Sequence, residues 1–443
     1  MKIRATVISL LLVTVMLFTG GCARFGVEIP ELIVPPESEG ELYEIRQALY
    51  AFTGKKEITL RYPKSGDWRS AFVIYDVDKD GQNEAVAFYS TTSNENTNIM
   101  HINLITKLEG KWISVSDHEV ECSSVESIAF SNIGSESSHE IVVCWNVVSS
   151  STNKLAVYRF DKGGLTQMLY ENYSVYSLCD IYGSEENELV IIANDTIAKQ
   201  AAAKVFYEDR NGLRELGSVA TDNRITEYGT PVPSKLSDGT PALFADGKKG
   251  TEGTVTEVIY VNEQGEIKSL FAEPNGENLK TFRVSGAESL DINGDGALDV
   301  PLLKELPGIR GETDQNSVYL TEWCACDKKE GLIYLGSAVM NYTDGYRISV
   351  DDGWKDILAV ERSADMSERI FYEYNADMGL ATHELFRIRI LPKEHYDPEN
   401  EAFSDYFRIA SNEESVILGK LNRQNGWGLS EQSIRDRFAF INS

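Results

Sequence analysis

Short apolar segments alternate with acidic, glycine-containing loops through the middle of the chain. In the first clear example, the apolar run 72–75 leads into the loop 76–84, which leads into the apolar run 85–89. The same order recurs at 289–303, around the loop 291–299. Short apolar runs bounded by glycine and acidic residues are typical of strands that meet at turns. The pattern therefore predicts a repeating unit of strand, acidic loop and strand.

Less regular copies of this unit lie between the two clear ones. Their loops end at Glu140, at Glu188 and near residue 242, so the acidic loops recur about every 50 residues. Each unit also carries a second hairpin, as at 154–165, where Gly163 and Gly164 mark the turn. We therefore predict a mainly β fold, a β-propeller of about five blades with about four strands each.

The first residues of the chain indicate export. The apolar run 7–18 follows two basic residues and is shorter than the roughly 20 residues that a membrane-spanning helix needs. It is typical of a signal peptide, predicted over 1–21. Residues 17–22 resemble a bacterial lipobox, which implies that Cys22 is lipidated and anchors the protein to the cell membrane from the extracytoplasmic side. The alternative is an ordinary signal peptide followed by an unrelated cysteine.

The chain divides into further predicted regions on either side of the repeats. A tether over 22–54 contains paired prolines and a helical apolar pattern at 41–52. The propeller is predicted over 55–340 and a small α+β domain over 341–443. In that last region Ser430 is a suitable N-cap for a short terminal helix.

Composition excludes one class of partner. The 443 residues carry 42 Lys and Arg against 69 Asp and Glu, a net charge of −27. Such a surface repels phosphate backbones, so nucleic acid is not an expected partner, whereas divalent cations are.

The cysteines give no disulfide framework. Beyond Cys22 the chain has an odd number of them without regular spacing, so we expect buried free thiols. A metal or redox role for the closely spaced Cys324 and Cys326 is the alternative.

The two clear acidic loops have the residues of a calcium site. A hard dication takes several oxygen ligands, and carboxylates on alternate positions of a glycine-turned loop supply them. The glycines would be Gly81 and Gly296. The expected ligands are Asp76, Asp78, Asp80, Gln82 through its carbonyl and Glu84 in the first loop, and Asp291, Asn293, Asp295, Ala297 through its carbonyl and Asp299 in the last. An EF-hand is disfavoured because Ala87 and Leu302 stand where it needs a glutamate. The alternative for each loop is a solvated turn without an ion.

The repeated loops and strands between residues 58 and 335 resemble the FG-GAP and VCBS repeat families. This resemblance implies a propeller of the kind found in integrin α-subunits and in many bacterial surface proteins. Gly345-Tyr346, Trp354 and the helix after Ser430 resemble a PsbP-like domain of bacterial lipoproteins. The alternative for this last region is a sixth blade.

No enzyme motif stands out, and we expect no catalytic residues. The sequence has no zinc-ligand histidine spacing, no Gly-x-Ser-x-Gly motif and no phosphate-binding glycine loop. We therefore predict a calcium-stabilised binding or scaffold module whose ligand is a protein, a peptide or a glycan. The alternative is an extracellular polysaccharide hydrolase or lyase on the same scaffold.

Overall fold

A computed structural model describes most of the chain after the tether. It covers residues 40–54, 57–92, 98–133, 139–147, 152–161, 164–210, 212–273, 276–284, 287–307 and 319–441. The predicted signal peptide and Cys22 lie outside these residues, so both stay predictions. Within the described part, neither helix combines the length and apolar character needed to cross a membrane.

The described strands form six antiparallel sheets that follow one another along the chain. The first sheet contains β1 (Thr59–Leu60), β2 (Phe72–Tyr75), β3 (Glu84–Thr92), β4 (Asn98–Leu108) and β5 (Lys111–Val120). The second contains β6 (Ser124–Ser131), β7 (Glu140–Asn146), β8 (Asn153–Asp161) and β9 (Gly164–Tyr173). The third contains β10 (Val175–Cys179), β11 (Glu188–Asp195), β12 (Gln200–Asp209) and β13 (Gly212–Ala220).

The last three sheets have five strands each, as the first does. The fourth contains β14 (Glu227–Tyr228), β15 (Val232–Lys235), β16 (Pro241–Lys248), β17 (Thr254–Val261) and β18 (Ile267–Ser269). The fifth contains β19 (Asp299–Glu305), β20 (Tyr319–Asp327), β21 (Gly331–Asn341), β22 (Tyr346–Val350) and β28 (Phe438–Phe440). The sixth contains β23 (Leu358–Arg362), β24 (Glu368–Asn375), β25 (Leu380–Pro392), β26 (Phe407–Ser411) and β27 (Ser415–Leu421).

Apolar residues on both faces of the sheets hold this series together. On β7, Ile141 and Val143 pack against the first sheet, whereas Val142 and Cys144 pack against the third. Because side chains alternate between the two faces of a strand, a continuous apolar run is buried on both sides. The predicted β-propeller fold class is therefore confirmed by the chain's own antiparallel sheets, stacked face to face in chain order.

A helix covers the outer face of the first sheet. Helix α1 (Glu41–Thr53) matches the helical pattern predicted for 41–52, and its buried Ile45 and Leu49 pack against β3 and β4. Among the described residues, no hydrophobic cluster joins the sixth sheet to the first.

The C-terminal region contributes to two sheets. β22 and β28 extend the fifth sheet, while the sixth sheet packs on it through Val339, Phe371 and Phe386. Helix α2 (Glu431–Arg437) begins at Ser430 with the predicted side-chain cap and buries Ile434 in the same core. The domain boundary between residues 340 and 341 stays a prediction.

The five cysteines beyond Cys22 are free and buried. Burial raises the pKa of Cys122 to about 12 and that of Cys324 to about 11. Because the reactive form of cysteine is the thiolate, these thiols are suited to packing.

Candidate cation site and polar cleft

The first acidic loop, residues 76–84, is a tight turn held by its own carboxylates. Asp76 Oδ1 accepts a hydrogen bond from the backbone of Asp80 at 3.2 Å, and its Oδ2 accepts one from Gly81 at 3.1 Å. Gly81 has φ +88°, a conformation that glycine adopts without steric cost. The predicted role of Gly81 in the turn is thus confirmed.

Three of the five ligands predicted in this loop lie close together. One carboxylate oxygen from each of Asp76, Asp78 and Glu84 lies within 4.8 Å of the other two. Burial raises the pKa of Asp78, and the nearby charges of Asp80 and Asp76 raise it further. Converging carboxylate oxygens are a donor set suited to a hard dication.

The other two predicted ligands contact each other. The Asp80 carboxylate accepts hydrogen bonds from the backbone of Gln82 at 2.7 Å and from its side chain at 3.4 Å. Both residues are exposed. Their part in a cation site stays a prediction.

Glu84 is the buried member of the cluster. It is 2% exposed, its Oε2 accepts the backbone N–H of Val77 at 3.0 Å, and its Oε1 accepts the Thr106 hydroxyl at 3.3 Å. Burial raises the pKa of Glu84 to about 7; the Val77 N–H opposes this rise and Asp78 adds to it. A cation beside the cluster would reverse the rise by favouring the carboxylate.

The hydrogen bond from the loop backbone to this buried carboxylate recurs in three other sheets. In each case the donor is an aliphatic residue seven positions before the acid. The pairs are Ile133 with Glu140 at 2.9 Å, Ile181 with Glu188 at 3.0 Å and Ile292 with Asp299 at 3.2 Å. From the sequence, these acids were predicted only as loop ends or as ligands, and their inward hydrogen bond was missed. The signal that could have predicted this hydrogen bond is an aliphatic residue seven positions before each acid.

The last acidic loop, residues 291–299, uses its polar side chains within the turn. Asp291 accepts hydrogen bonds from the backbone of Gly294, Asp295 and Gly296 at 2.7–3.1 Å. Asp295 accepts one from the backbone of Ala297 and one from the Asn293 side chain, and these contacts lower its pKa.

A lysine lies at the edge of this last loop. The Lys235 ammonium donates to the Asp295 carbonyl at 2.9 Å. Asp299 is fully buried, burial raises its pKa to about 6, and its Oδ1 has no hydrogen-bond partner among the described residues. Calcium at this loop stays a prediction, and the three-carboxylate cluster found in the first loop is not reproduced among its described residues.

A polar cleft lies at the opposite ends of the strands. It has a volume of about 310 Å³ and is lined by Thr152, Asn153, Tyr173, Ser174, Asn194, Thr196, Ile225, Thr226, Glu227 and Tyr228. Ser174 precedes β10 and Asn194 lies near the end of β11, whereas the acidic loop of this sheet joins the other ends of these two strands. The cleft and the acidic loops therefore lie at opposite ends of the strands.

Asn194 fixes one wall of the cleft. Its Nδ2 donates to the carbonyls of Asp222 and Ile225 at 3.3 and 2.5 Å, and its backbone N–H donates to Ser174 Oγ at 3.0 Å. Asn194 is 5% exposed, and its Oδ1 has no hydrogen-bond partner among the described residues. The Asn194 side chain thus holds the wall segment 222–228 through its Nδ2, while its Oδ1 is left as an unused acceptor among the described residues.

A buried charge network supports the same segment. Lys249 Nζ lies 2.5 Å from Asp222 Oδ2, and both side chains are almost completely buried. The backbone N–H of Asp222 donates to Glu257 Oε1 at 3.2 Å, while Asp222 Oδ2 also accepts the backbone N–H of Asn278 at 2.8 Å. Buried ion pairs add little net stability, so their most evident effect here is to hold the position of residue 222.

Sequence reasoning did not find the cleft. Its lining residues come from four separate parts of the chain between residues 152 and 228 and share no motif. Only the folded arrangement of the second, third and fourth sheets brings them together.

Comparison with known proteins adds little to this description. No protein-family model and no curated protein sequence matches the chain. A Lactobacillus plantarum protein of solved structure is 9% identical, with 72% of this chain and 84% of that one covered and a TM-score of 0.27. A rhamnogalacturonan lyase of Bacillus licheniformis is 14% identical, with 74% and 75% covered and a TM-score of 0.30. The Dos1 propeller is 11% identical, with 70% and 78% covered and a TM-score of 0.26.

Proposed function

We propose that this protein is a cation-stabilised binding module that holds a polar ligand on one side of its propeller. The observation that carries the proposal is the separation of two features. The carboxylate cluster of the first acidic loop and the polar cleft lie toward opposite ends of the strands. A cation in the loop would therefore act on stability and leave the cleft available for the ligand.

Calcium is the cation we assign to the first loop. Asp76, Asp78 and Glu84 would hold it, because hard dications prefer carboxylate oxygens. The ion would neutralise carboxylates that repel one another and would fix the turn between β2 and β3. This role is structural, and no reaction passes through it.

The cleft favours binding over the alternative of polysaccharide cleavage. Most glycoside hydrolases use a pair of carboxylates that flank the scissile bond. Among the described residues that line the cleft, Glu227 carries the one carboxylate, and it pairs with Lys248 at 3.0 Å. A partner carboxylate for acid–base catalysis is not among these residues.

The place of action follows from the N-terminal sequence. We propose that Cys22 carries lipid and holds the protein at the outer side of the cell membrane. The net charge of −27 disfavours nucleic acid as a partner. The ligand then comes from outside the cytoplasm, as a protein, a peptide or a glycan.

The repeat type is also part of the proposal. We propose repeats of the FG-GAP or VCBS type, and the recurrence of the aliphatic residue, acidic loop and buried carboxylate in the first, second, third and fifth sheets supports a repeated unit. We also propose that the C-terminal region, which contains α2, is PsbP-like.

Calorimetric titration of calcium into the full-length protein in detergent tests the cation site. We expect binding that weakens by about tenfold or more in Asp78→Asn, because one charged ligand is lost. The matched control is Asp356→Asn, an exposed aspartate outside the loops. If the protein binds no calcium, or if both variants bind it equally well, the assignment is wrong.

Membrane fractionation tests the anchor. We expect the wild-type chain in the membrane fraction and Cys22→Ser in the soluble extracytoplasmic fraction. A Cys22→Ser chain that stays in the membrane would contradict lipid anchoring at this residue.

A further inference from the structure

We propose that the cleft binds an uncharged saccharide. This inference rests on the proposed binding function and names the chemical class of its ligand.

The lining chemistry matches hydroxyl groups. Most of the lining side chains carry a hydroxyl or an amide, while Ile225 is the one aliphatic residue and is 1% exposed. Hydroxyls and amides donate and accept hydrogen bonds, as a sugar does at each of its hydroxyl groups.

The charge of the cleft disfavours anionic ligands. None of the described lining residues is basic, and the charged one, Glu227 at the exposed rim, is acidic and already pairs with Lys248. Carboxylates and phosphates are usually bound by arginine, by lysine or by converging backbone N–H groups. An uncharged sugar is therefore favoured over a uronic acid or a sugar phosphate.

The size of the cleft fits a small ligand. Its volume of about 310 Å³ lies at the lower end of the range of small-molecule pockets. Tyr173 and Tyr228 contribute aromatic rings to the lining, and an aromatic ring suits the C–H face of a sugar. A single sugar unit at the end of a longer glycan is the ligand that we expect.

Asn194 Oδ1, an acceptor in the cleft wall, has no hydrogen-bond partner among the described residues. Asn194 lines the cleft and is 5% exposed, and among the described residues nothing donates to its Oδ1. Buried polar atoms are rarely left without a partner, so an unused acceptor in a pocket wall suggests a donor supplied by a ligand. A sugar hydroxyl is such a donor.

The wall is also fixed before the ligand arrives. Asn194 Nδ2 is bound to the carbonyls of Asp222 and Ile225, and Lys249 holds the Asp222 carboxylate. A preorganised site loses less entropy on binding, which matters for a flexible, well-hydrated ligand.

The test is binding of the full-length protein in detergent to an array of uncharged mono- and oligosaccharides, with uronic acids and sugar phosphates as charged counterparts. We expect at least one uncharged saccharide to bind. Thr196→Trp should weaken that binding by about tenfold or more, because the bulky side chain fills the cleft from an exposed turn. Thr166→Trp, at an exposed position on β9 outside the cleft, should leave it unchanged.

A second variant, Thr196→Arg, tests the proposal if Thr196→Trp folds poorly. Thr196→Arg introduces a cation at the rim and should shift preference toward the charged counterpart of the same sugar. Preferential binding of charged saccharides by the wild-type protein, or equal binding by Thr196→Trp, would overturn the proposal. A sample that binds calcium but no saccharide would overturn the saccharide assignment alone.

Discussion

The first and second sheets bury a glutamate at corresponding positions and surround it differently. Glu84 and Glu140 begin β3 and β7, are at most 2% exposed, and accept a backbone hydrogen bond from Val77 and Ile133 respectively. The next paired positions are Ala85 with Ile105 in one sheet and Ile141 with Tyr158 in the other. The residues facing the two glutamates are therefore Thr106 and Arg159.

This one difference changes how the buried charge is compensated. Thr106 offers Glu84 a hydroxyl at 3.3 Å, whereas Arg159 Nη2 lies 2.7 Å from Glu140 and 2.6 Å from Glu208 of the third sheet. Although burial lowers the pKa of Arg159, its hydrogen bonds and the charges of Glu140 and Glu208 raise it overall.

The comparison teaches that one repeat can be stabilised in two ways. In the second sheet, the positive charge beside the buried glutamate is Arg159, which also pairs with Glu208 of the third sheet. The first sheet gathers Asp76, Asp78 and Glu84 and would take its cation from the surroundings. Stability of the first sheet should then depend on calcium, and stability of the second should not.

The largest effect is expected from Arg159→Met. Removing the guanidinium leaves Glu140 buried without its partner, which typically costs about 3 kcal/mol or more of unfolding free energy. Urea denaturation should show this loss equally with calcium and with a chelator. The double variant Arg159→Met with Glu140→Gln should recover much of it, and a double variant as unstable as the single one would argue against charge as the cause.

Calcium itself should produce the next largest effect. A ligand that binds only the folded state adds about 2.7 kcal/mol at a free concentration of about 100 times its Kd. Glu84→Gln should lose most of this gain, whereas Glu188→Gln, at the corresponding position of the third sheet, should keep it. If calcium raises the unfolding free energy of both variants equally, the ion binds elsewhere.

A third buried glutamate, Glu257, tests whether a buried carboxylate can also be neutralised by binding a proton. Glu257 is fully buried, and burial raises its pKa to about 7 from an ordinary value of 4.5; the Asp222 backbone N–H opposes this rise and the Asp222 charge adds to it. The folded state therefore holds this proton more tightly than the unfolded chain does. The resulting stability is fully present below pH 4.5 and is lost as the pH rises to about 7.

For Glu257, the loss should be on the order of 2 kcal/mol, measured by urea denaturation between these pH values in the presence of a chelator. Glu257→Gln should flatten this part of the profile. A profile unchanged by the substitution would assign the pH dependence to other groups.

The smallest expected effect is the most direct test of the comparison. Thr106→Arg places in the first sheet the residue that the second sheet has at this position. The calcium-dependent part of the unfolding free energy should fall to about 1 kcal/mol or less, because the guanidinium competes with the ion for Glu84. Thr106→Val is the matched control without charge and should keep the calcium response. If Thr106→Arg also keeps it, the two positions are not equivalent.

The repeat could be predicted from sequence because its signals are local. Alternating apolar runs and acidic loops predicted β2 and β3 around Asp76–Glu84 and β19 after the last loop, and the helical pattern at 41–52 predicted α1. The strand predicted before the last loop was wrong, because there Leu290 forms only an isolated bridge with Asp299. The aliphatic residue seven positions before each buried acid was also visible, at Val77 and Ile292, and could have shown that these acids turn inward.

What the sequence determined by itself was the series of β units, because strand alternation and turn chemistry act between neighbours in the chain. Only the tertiary structure decided that Arg159 reaches Glu208, that Lys235 reaches the last loop, and that Asn194 meets Ile225 across a cleft. These contacts join residues from different loops or sheets. The distances between these residues depend on how the sheets pack, and a pattern of neighbouring residues in the sequence does not determine them.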